Sequence, residues 1–305
     1  MSDTVHPADH PTRARWVVPV AVVTVLALVV AVVLLWQGLR AGTPQATPTS
    51  PSGGPSATVS PSTSPSPTSS TTTAAATVAA PVYYVIDVPD FGPRLYREFH
   101  RVPLDPGGPI VTALTEMFRD NAVDPDYRSM WPTTTNVLSV STSGDVATVD
   151  LSGFVALGAA FESAAVDELV YTVTASQPTV HKVKLLVNGA TPPSGHSDWS
   201  APIARAPALD VQANVWILEP GQGATVSSPV TIHVLGTGWE GWVPLAVYRG
   251  HTLITTTHVV TMMGDFLEAA TTVTLSPGTY ELRAYNDNGK DSSLDLWDTK
   301  TFTVR

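Results

Sequence analysis

A chain of 305 residues has room for two ordinary domains and additional segments. It contains no cysteine, which excludes disulfides, thiolate metal sites and cysteine nucleophiles. Its net charge of −10, without any cluster of Lys or Arg, argues against nucleic acid as a partner, because phosphate binding needs a basic footprint.

Charge divides the chain into three zones. Residues 1–40 sum to +1, residues 41–80 carry no charge, and residues 81–305 sum to −11. From Trp16 to Trp36 the run WVVPVAVVTVLALVVAVVLLW is uncharged. About 20 apolar residues suffice to cross a hydrocarbon core, and indole rings suit its two interfaces. A tail at 1–15 and a transmembrane helix at 16–37 are therefore expected, with the lipid bilayer as that helix's partner. A cleaved signal peptide is the competing reading, but its apolar region is shorter, about 7–15 residues. Arg13 and Arg15 precede the run and Arg40 follows it, which favours a cytoplasmic N-terminus and extracytoplasmic C-terminal domains. The expected localisation is the cell membrane, crossed once. Residues 38–80, with TPTSPSGGPSATVSPSTSPSPTSSTTT at their centre, read as a disordered Ser/Thr/Pro stalk that cannot bury a core.

Residues 81–190 read as a compact α+β module. VYYVI at 82–86 and LYREFHRV at 95–102 favour strands, and Gly108-Pro109 offers a helix start. Ile110, Val111, Leu114, Met117 and Phe118 follow at helical spacing. Residues 137–140 and 146–151 flank STSGD as a hairpin. LVYTVTASQPTVHKVKLLVNG at 169–189 is ambiguous in its first half, where Leu169, Tyr171 and Val173 alternate like a strand. The longer window keeps steps of three and four from Phe161 to Val173, with Glu162, Asp167 and Glu168 expected on an exposed face. A helix is favoured, stopped by Pro178, followed by a strand at 183–187 ending in Asn188-Gly189. Lys182 and Lys184 alternate with that strand's apolar residues. The expected order is β-β-α-β-β-α-β.

These blocks, VYYVIDVPDFGPRLYREFHRVP, PIVTALTEMFRD, TTTNVLSVSTSGDVATVDLS and LVYTVTASQPTVHKVKLLVNG, together resemble a GerMN domain. The resemblance covers about 110 residues and contains no catalytic signature. It implies a small sheet with two helices on one face, and relatives in sporulation, germination and actinobacterial envelope proteins.

After a connector at 191–212, residues 213–305 show seven short strand signals: 215–218, 230–235, 243–248, 254–260, 266–275, 280–285 and 301–304. Such a density of strands and turns points to an all-β immunoglobulin-like sandwich. ILEPGQGATVSSPVTIHVLGTGWEGWVPLAVYRG, GDFLEAATTV and SPGTYELRAYNDNGKDSSLDLWDTKTFTVR resemble the Gmad-type immunoglobulin-like domain, which in that family often stands beside GerMN. Many relatives carry a lipobox cysteine, which this chain lacks.

Motifs with chemical potential are few. GTGWEG at 236–241 is a literal G-x-G-x-x-G, but WVPLAVYR follows where a dinucleotide site needs a helix, so a turn between strands is expected. In YNDNGKDSSLD, Asp287, Asp291 and Asp295 form a weak calcium candidate. The EF-hand register puts Ala284 at position 1, so a polar loop is the better reading. Ser194-Gly195-His196 lacks a nucleophile elbow. The eight histidines are dispersed, and Asp87, Asp90, Glu98 and Asp105 read as solvated surface. No catalytic residue, metal ligand set or cofactor is identified. Trp239 and Trp242 are the binding candidates, because paired indoles on a turn suit a contact surface; the competing reading puts at least one in the core. Trp199, in the connector, is expected to pack between the domains or onto a domain edge.

The sequence thus implies a non-enzymatic, membrane-anchored, extracytoplasmic binding or assembly protein of the bacterial envelope, tied to sporulation or germination by resemblance. Its partner is expected to be an envelope protein or a cell-wall polymer, and self-association is compatible with its sheet edges. The alternative is a ligand sensor or enzyme whose site is assembled from distant residues.

Overall fold

The computed structural model describes residues 77–154, 157–192, 195, 197–287, 289 and 293–305. The expected tail, transmembrane helix and most of the stalk lie outside these residues. Among the described residues no helix is long and apolar enough to cross a membrane. The longest helix, Ala159–Ser176, carries three carboxylates. The expected architecture is corrected accordingly: the supported fold is a strand-dominated one in two modules, and single-pass placement in a cell membrane is not supported.

The first module opens with β1 (Thr77–Val88) and β2 (Gly92–Pro103), a twelve-residue antiparallel pair in which Tyr84 faces Tyr96. Gly108, at φ 96°, turns the chain so that Pro109 begins α1 (Pro109–Phe118). Ile110, Ala113, Leu114, Met117 and Phe118 are buried, the stripe that helical spacing predicts. β3 (Val137–Ser143) and β4 (Val146–Leu151) form the hairpin, α2 (Ala159–Ser176) crosses over, and β5 (Lys182–Val187) pairs parallel with β4. A two-residue strand β6 (Ile203–Ala204) completes the sheet order β3-β4-β5-β6.

The ambiguous stretch is thus helix through Ser176 and strand from Lys182. Two expectations change. The resemblance implied one small sheet, whereas β1–β2 and β3–β4–β5–β6 are separate ladders. Glu162, Asp167 and Glu168, expected exposed, are buried, while Phe161 is exposed. The cause is enclosure: α2 packs on α1, β1, β2 and β5, so it has little free face left for solvent. Burial pushes Glu168 well above the usual carboxylate range and raises Asp167 to about 6. Glu168 accepts the Met130 amide at 2.9 Å and so pins the 120s loop to the helix.

The connector holds a four-residue helix, α3 (Ala208–Val211). The second module comprises β7 (Val215–Glu219), β8 (Thr225–Val226), β9 (Val230–Gly236), β10 (Trp242–Arg249), β11 (Thr252–Val260), β12 (Leu267–Val273), β13 (Gly278–Asp287) and β14 (Leu294–Val304). They form two sheets, β11-β10-β13-β14-β8 and β12-β9-β7. Ile232 and Val234 from one sheet and Val243, Leu245, Val247, Leu282 and Phe302 from the other belong to one buried apolar cluster. β14 begins seven residues before the expected Thr301, because LDLWDTK pairs with β13 across a bulge.

That cluster runs through both modules without a break. Trp216 of β7 lies 6.4 Å from Tyr96 and 5.8 Å from Phe266, and Phe91 lies 4.8 Å from Trp297. Tyr96 donates to the Trp297 carbonyl at 2.5 Å, and the Ala213 amide donates to Leu95 at 3.0 Å. Trp199 is buried against Phe154, 5.9 Å away.

Candidate binding surface

Two places gather functional side chains, a polar junction between the modules and the exposed end of the sandwich. At the junction, Lys300 of β14 reaches across to the first module. Its Nζ donates to Asp124 Oδ2 at 2.5 Å, to the Tyr127 hydroxyl at 2.7 Å and to Asp298 Oδ1 at 3.2 Å. Tyr127 donates to Asp298 Oδ1 at 3.3 Å, and the Ile217 amide donates to Asp298 Oδ2 at 2.7 Å. Thr299 adds a bond to Asp126 at 3.1 Å. Burial pushes Asp298 up to about 6, against the pull of Lys300 and the Ile217 amide.

Beside this cluster lies a groove of about 490 Å³ between the modules, lined by Arg97, Glu98, Tyr127, Glu219, His233 and Lys300 among others. Glu98, His233 and Lys300 in its lining are engaged by other residues of the protein. Glu98 accepts the Val123 and Asp124 amides and meets His100 Nε2 at 2.9 Å, while His100 Nδ1 is 3.5 Å from Glu116. His233 meets Glu268 at 3.2 Å. Glu98 was expected on solvated surface; it instead anchors the loop after α1. A charged residue two positions from a histidine in a strand was the available sign, since i and i+2 share a face.

Burial works against a charged His100, but the bonds and charges of Glu98 and Glu116 outweigh it and raise its pKa. Burial likewise opposes ionised Glu98, but His100 and two backbone amides hold it below its usual value. His100 therefore contributes stability that is complete below the unfolded value of 6.5 and is lost as pH rises through the raised one. The Glu98 contribution is present above 4.5 and is lost as pH falls through its lowered value. His100→Gln is expected to reduce stability at about pH 5.5 and to flatten the decline toward about pH 8.5. Urea unfolding of both proteins at the two pH values checks this; an unchanged slope in the variant assigns the decline to other groups.

At the far end of the sandwich, β9 runs into GTGWEG. A Cβ on Gly238 would sit 2.5 Å from the Trp242 carbonyl oxygen, and one on Gly241, at φ 75°, would sit 2.8 Å from that of Thr261. The glycines serve close backbone packing between two strands, and a strand follows them. The Thr237 hydroxyl donates to the Met262 carbonyl at 2.9 Å and accepts the Gly264 amide at 3.0 Å, tying this turn to the one after β11. Glu240, at φ 53°, completes a tight turn that presents Trp239 outward.

Trp239 is 50% exposed and Trp242 42%, so neither is a core residue. Val260, Met262, Met263 and Leu267 are exposed beside them, with Met263 at 61%. Trp242 faces Val260 across β10–β11, and its ring lies tilted against His258 at 5.7 Å. A hollow of about 220 Å³ brings Trp239, Met263, Asp287 and Asp295 together with Phe91 of the first module. Asn286 accepts the Trp239 amide at 3.3 Å, and Asp287 accepts the Gly289 amide at 2.7 Å. Of the calcium candidates, Asp287 and Asp295 thus share this hollow, and Asp291 lies outside the described residues. Among the described residues no group of three or more His, Asp or Glu is arranged to hold a metal ion. Ser194 and His196 also lie outside them.

Residues 81–192 match the family model described as Germane: Sporulation and spore germination. That match supports a GerMN-like first module. Similar solved structures include the tandem GerMN domains of the sporulation protein GerM from Bacillus subtilis, at 18% identity, 43% coverage of this chain, 45% of that chain and TM-score 0.36. The first GerMN domain of the same protein gives 22% identity, 41% coverage of this chain, 98% of that one and TM-score 0.33. Fibronectin(III)-like modules of Clostridium thermocellum CbhA give 19% identity, 30% coverage of this chain, 93% of that one and TM-score 0.22. The chain thus spans less than half the length of the tandem structure. A search of the curated proteins returns no match.

Proposed function

We propose that this chain is a non-enzymatic binding protein of the sporulation and germination family, in which the exposed end of the sandwich engages a protein partner. The observation that carries the reading is the cluster of half-exposed Trp239 and Trp242 beside Met262 and Met263. Tryptophan dominates interface energetics, and methionine adapts to a partner's shape. Contiguous apolar surface of this kind is uncommon on a protein that has no partner. Glu240 and Asp265 lie on the same turns, and Asp287 and Asp295 line the adjoining hollow, so a partner with a basic rim fits. The sandwich is read as the Gmad-type domain that accompanies GerMN, a reading supported by its two mainly antiparallel sheets. The groove between the modules is a less favourable site, because Glu98, His233 and Lys300 there are already engaged by His100, Glu268 and Asp124.

A photo-reactive residue at position 263 of the full chain, in cells that produce it, is expected to cross-link a discrete protein. Trp239→Ala should weaken that association by about 30-fold or more, equivalent to about 2 kcal/mol or above. Equal cross-linking from exposed Thr231, or full retention in Trp239→Ala, would overturn the reading.

A further inference from the structure

β11 ends the five-stranded sheet, and among the described residues its outer edge pairs with no strand. Of the other sheet ends, β8 and β6 are two residues long, β7 and β3 are shorter than β11 and bulged, β12 carries Glu268, β1 carries Pro81 and Asp87, and β2 carries Arg97, Glu98 and Arg101. These are the devices by which edges are kept from pairing with other chains. β11 has a bulge at Ile254, where Val247 pairs with Thr255 and Tyr248 with Leu253, but Thr255–Val260 then runs in unbroken register. From Thr252 to Met263 the sequence TLITTTHVVTMM contains no Asp, Glu, Lys, Arg or Pro. Thr256, His258 and Val260 are exposed on the outer face.

We infer that the β11 edge is a self-association surface, on which Thr255–Val260 pairs antiparallel with the same segment of a second copy of this chain. Unpaired strand-edge amides and carbonyls recognise another strand, so the occupant is extended backbone. Charge selects which strand. Two copies with net charge −10 repel over most of their surfaces, and this uncharged strip is where they meet without opposing like charges. Thr opposite Thr, His or Val is a compatible cross-strand pair in any antiparallel register. The far end of the sheet, β8, is too short to accept another strand, so pairing closes at two copies around a two-fold axis.

Because the natural chain has no cysteine, single-cysteine variants report the contact cleanly. Full-length Thr256→Cys and His258→Cys, each near-isosteric or exposed, are treated with a thiol-specific linker of about 8 Å reach, matching opposed and diagonal cross-strand distances. Covalent dimer is expected at least tenfold above that from Thr231→Cys on β9, with no higher species. Adding Thr257→Lys should lower the yield at least tenfold, whereas Trp239→Ala should leave it unchanged. Dimer yields no greater than those of Thr231→Cys, ladders beyond dimer, or insensitivity to Thr257→Lys would each overturn the inference. Loss with Trp239→Ala would assign the contact to the tryptophan surface instead.

Discussion

Lys300→Met is expected to lower the free energy of unfolding by about 3–5 kcal/mol, as removal of one member of a buried ion cluster does. The reason is arithmetic of charge in a dry place. Lys300 stands between Asp124 and Asp298, with side-chain exposures of 6%, 1% and 1%. Without the ammonium, two buried carboxylates face each other with no cation, and one must take up a proton. Desolvation of an uncompensated charge outweighs the packing that methionine restores. Adding Asp124→Asn should recover part of the loss, since the remaining Asp298 keeps the Ile217 amide and the Tyr127 hydroxyl. Urea denaturation of the three proteins checks the order: wild type, then double variant, then single variant. A single variant within about 0.5 kcal/mol of wild type would mean that water reaches the cluster.

Trp216→Ala is expected to lower stability by about 3–5 kcal/mol, the usual range for a large aromatic removed from a core. Trp216 is 2% exposed and lies between Tyr96 of the first module and Phe266 of the second. The cavity would open where both modules contribute walls, so the loss should appear as a common shift of the unfolding midpoint. Unfolding followed by two probes, one in each module, checks this. Two separated transitions in the wild-type protein would show that the modules unfold independently and that Trp216 serves only one.

Residues 81–190 disclose their elements in order, because helices and strands there keep their periods over whole segments. The helix from Phe161 to Val173 illustrates both strength and limit. Its apolar steps of three and four identify it, yet they mislead about Glu162, Asp167 and Glu168. Periodicity reports one buried face, and α2 has almost no free face because strands and a helix enclose it. Trp239 and Trp242 could be singled out as residues, but not as exposed ones. Their outward aim depends on Gly238 and Gly241 packing against carbonyls contributed from Trp242 and Thr261. The Asp124–Lys300 contact was illegible for a plainer reason: its members are 176 residues apart and neither carries a local pattern. Strand β14 was half missed because aspartates interrupt its first residues, LDLWD, which become strand through pairing with β13.

The distance between Asp124 and Lys300 along the chain also sets an order of events during synthesis. The first module leaves the ribosome with a carboxylate whose cation has not yet been translated. The Asp124 carboxylate therefore lacks its cation while β7 to β13 are being made. Only when β14 docks beside β13 does the charge find its counterpart, and the ring of Tyr96 finds the Trp297 carbonyl in the same step. Long-range contacts of this kind form late and slowly. The last strand of the sandwich is thus the fastener of the module that begins more than 170 residues before it.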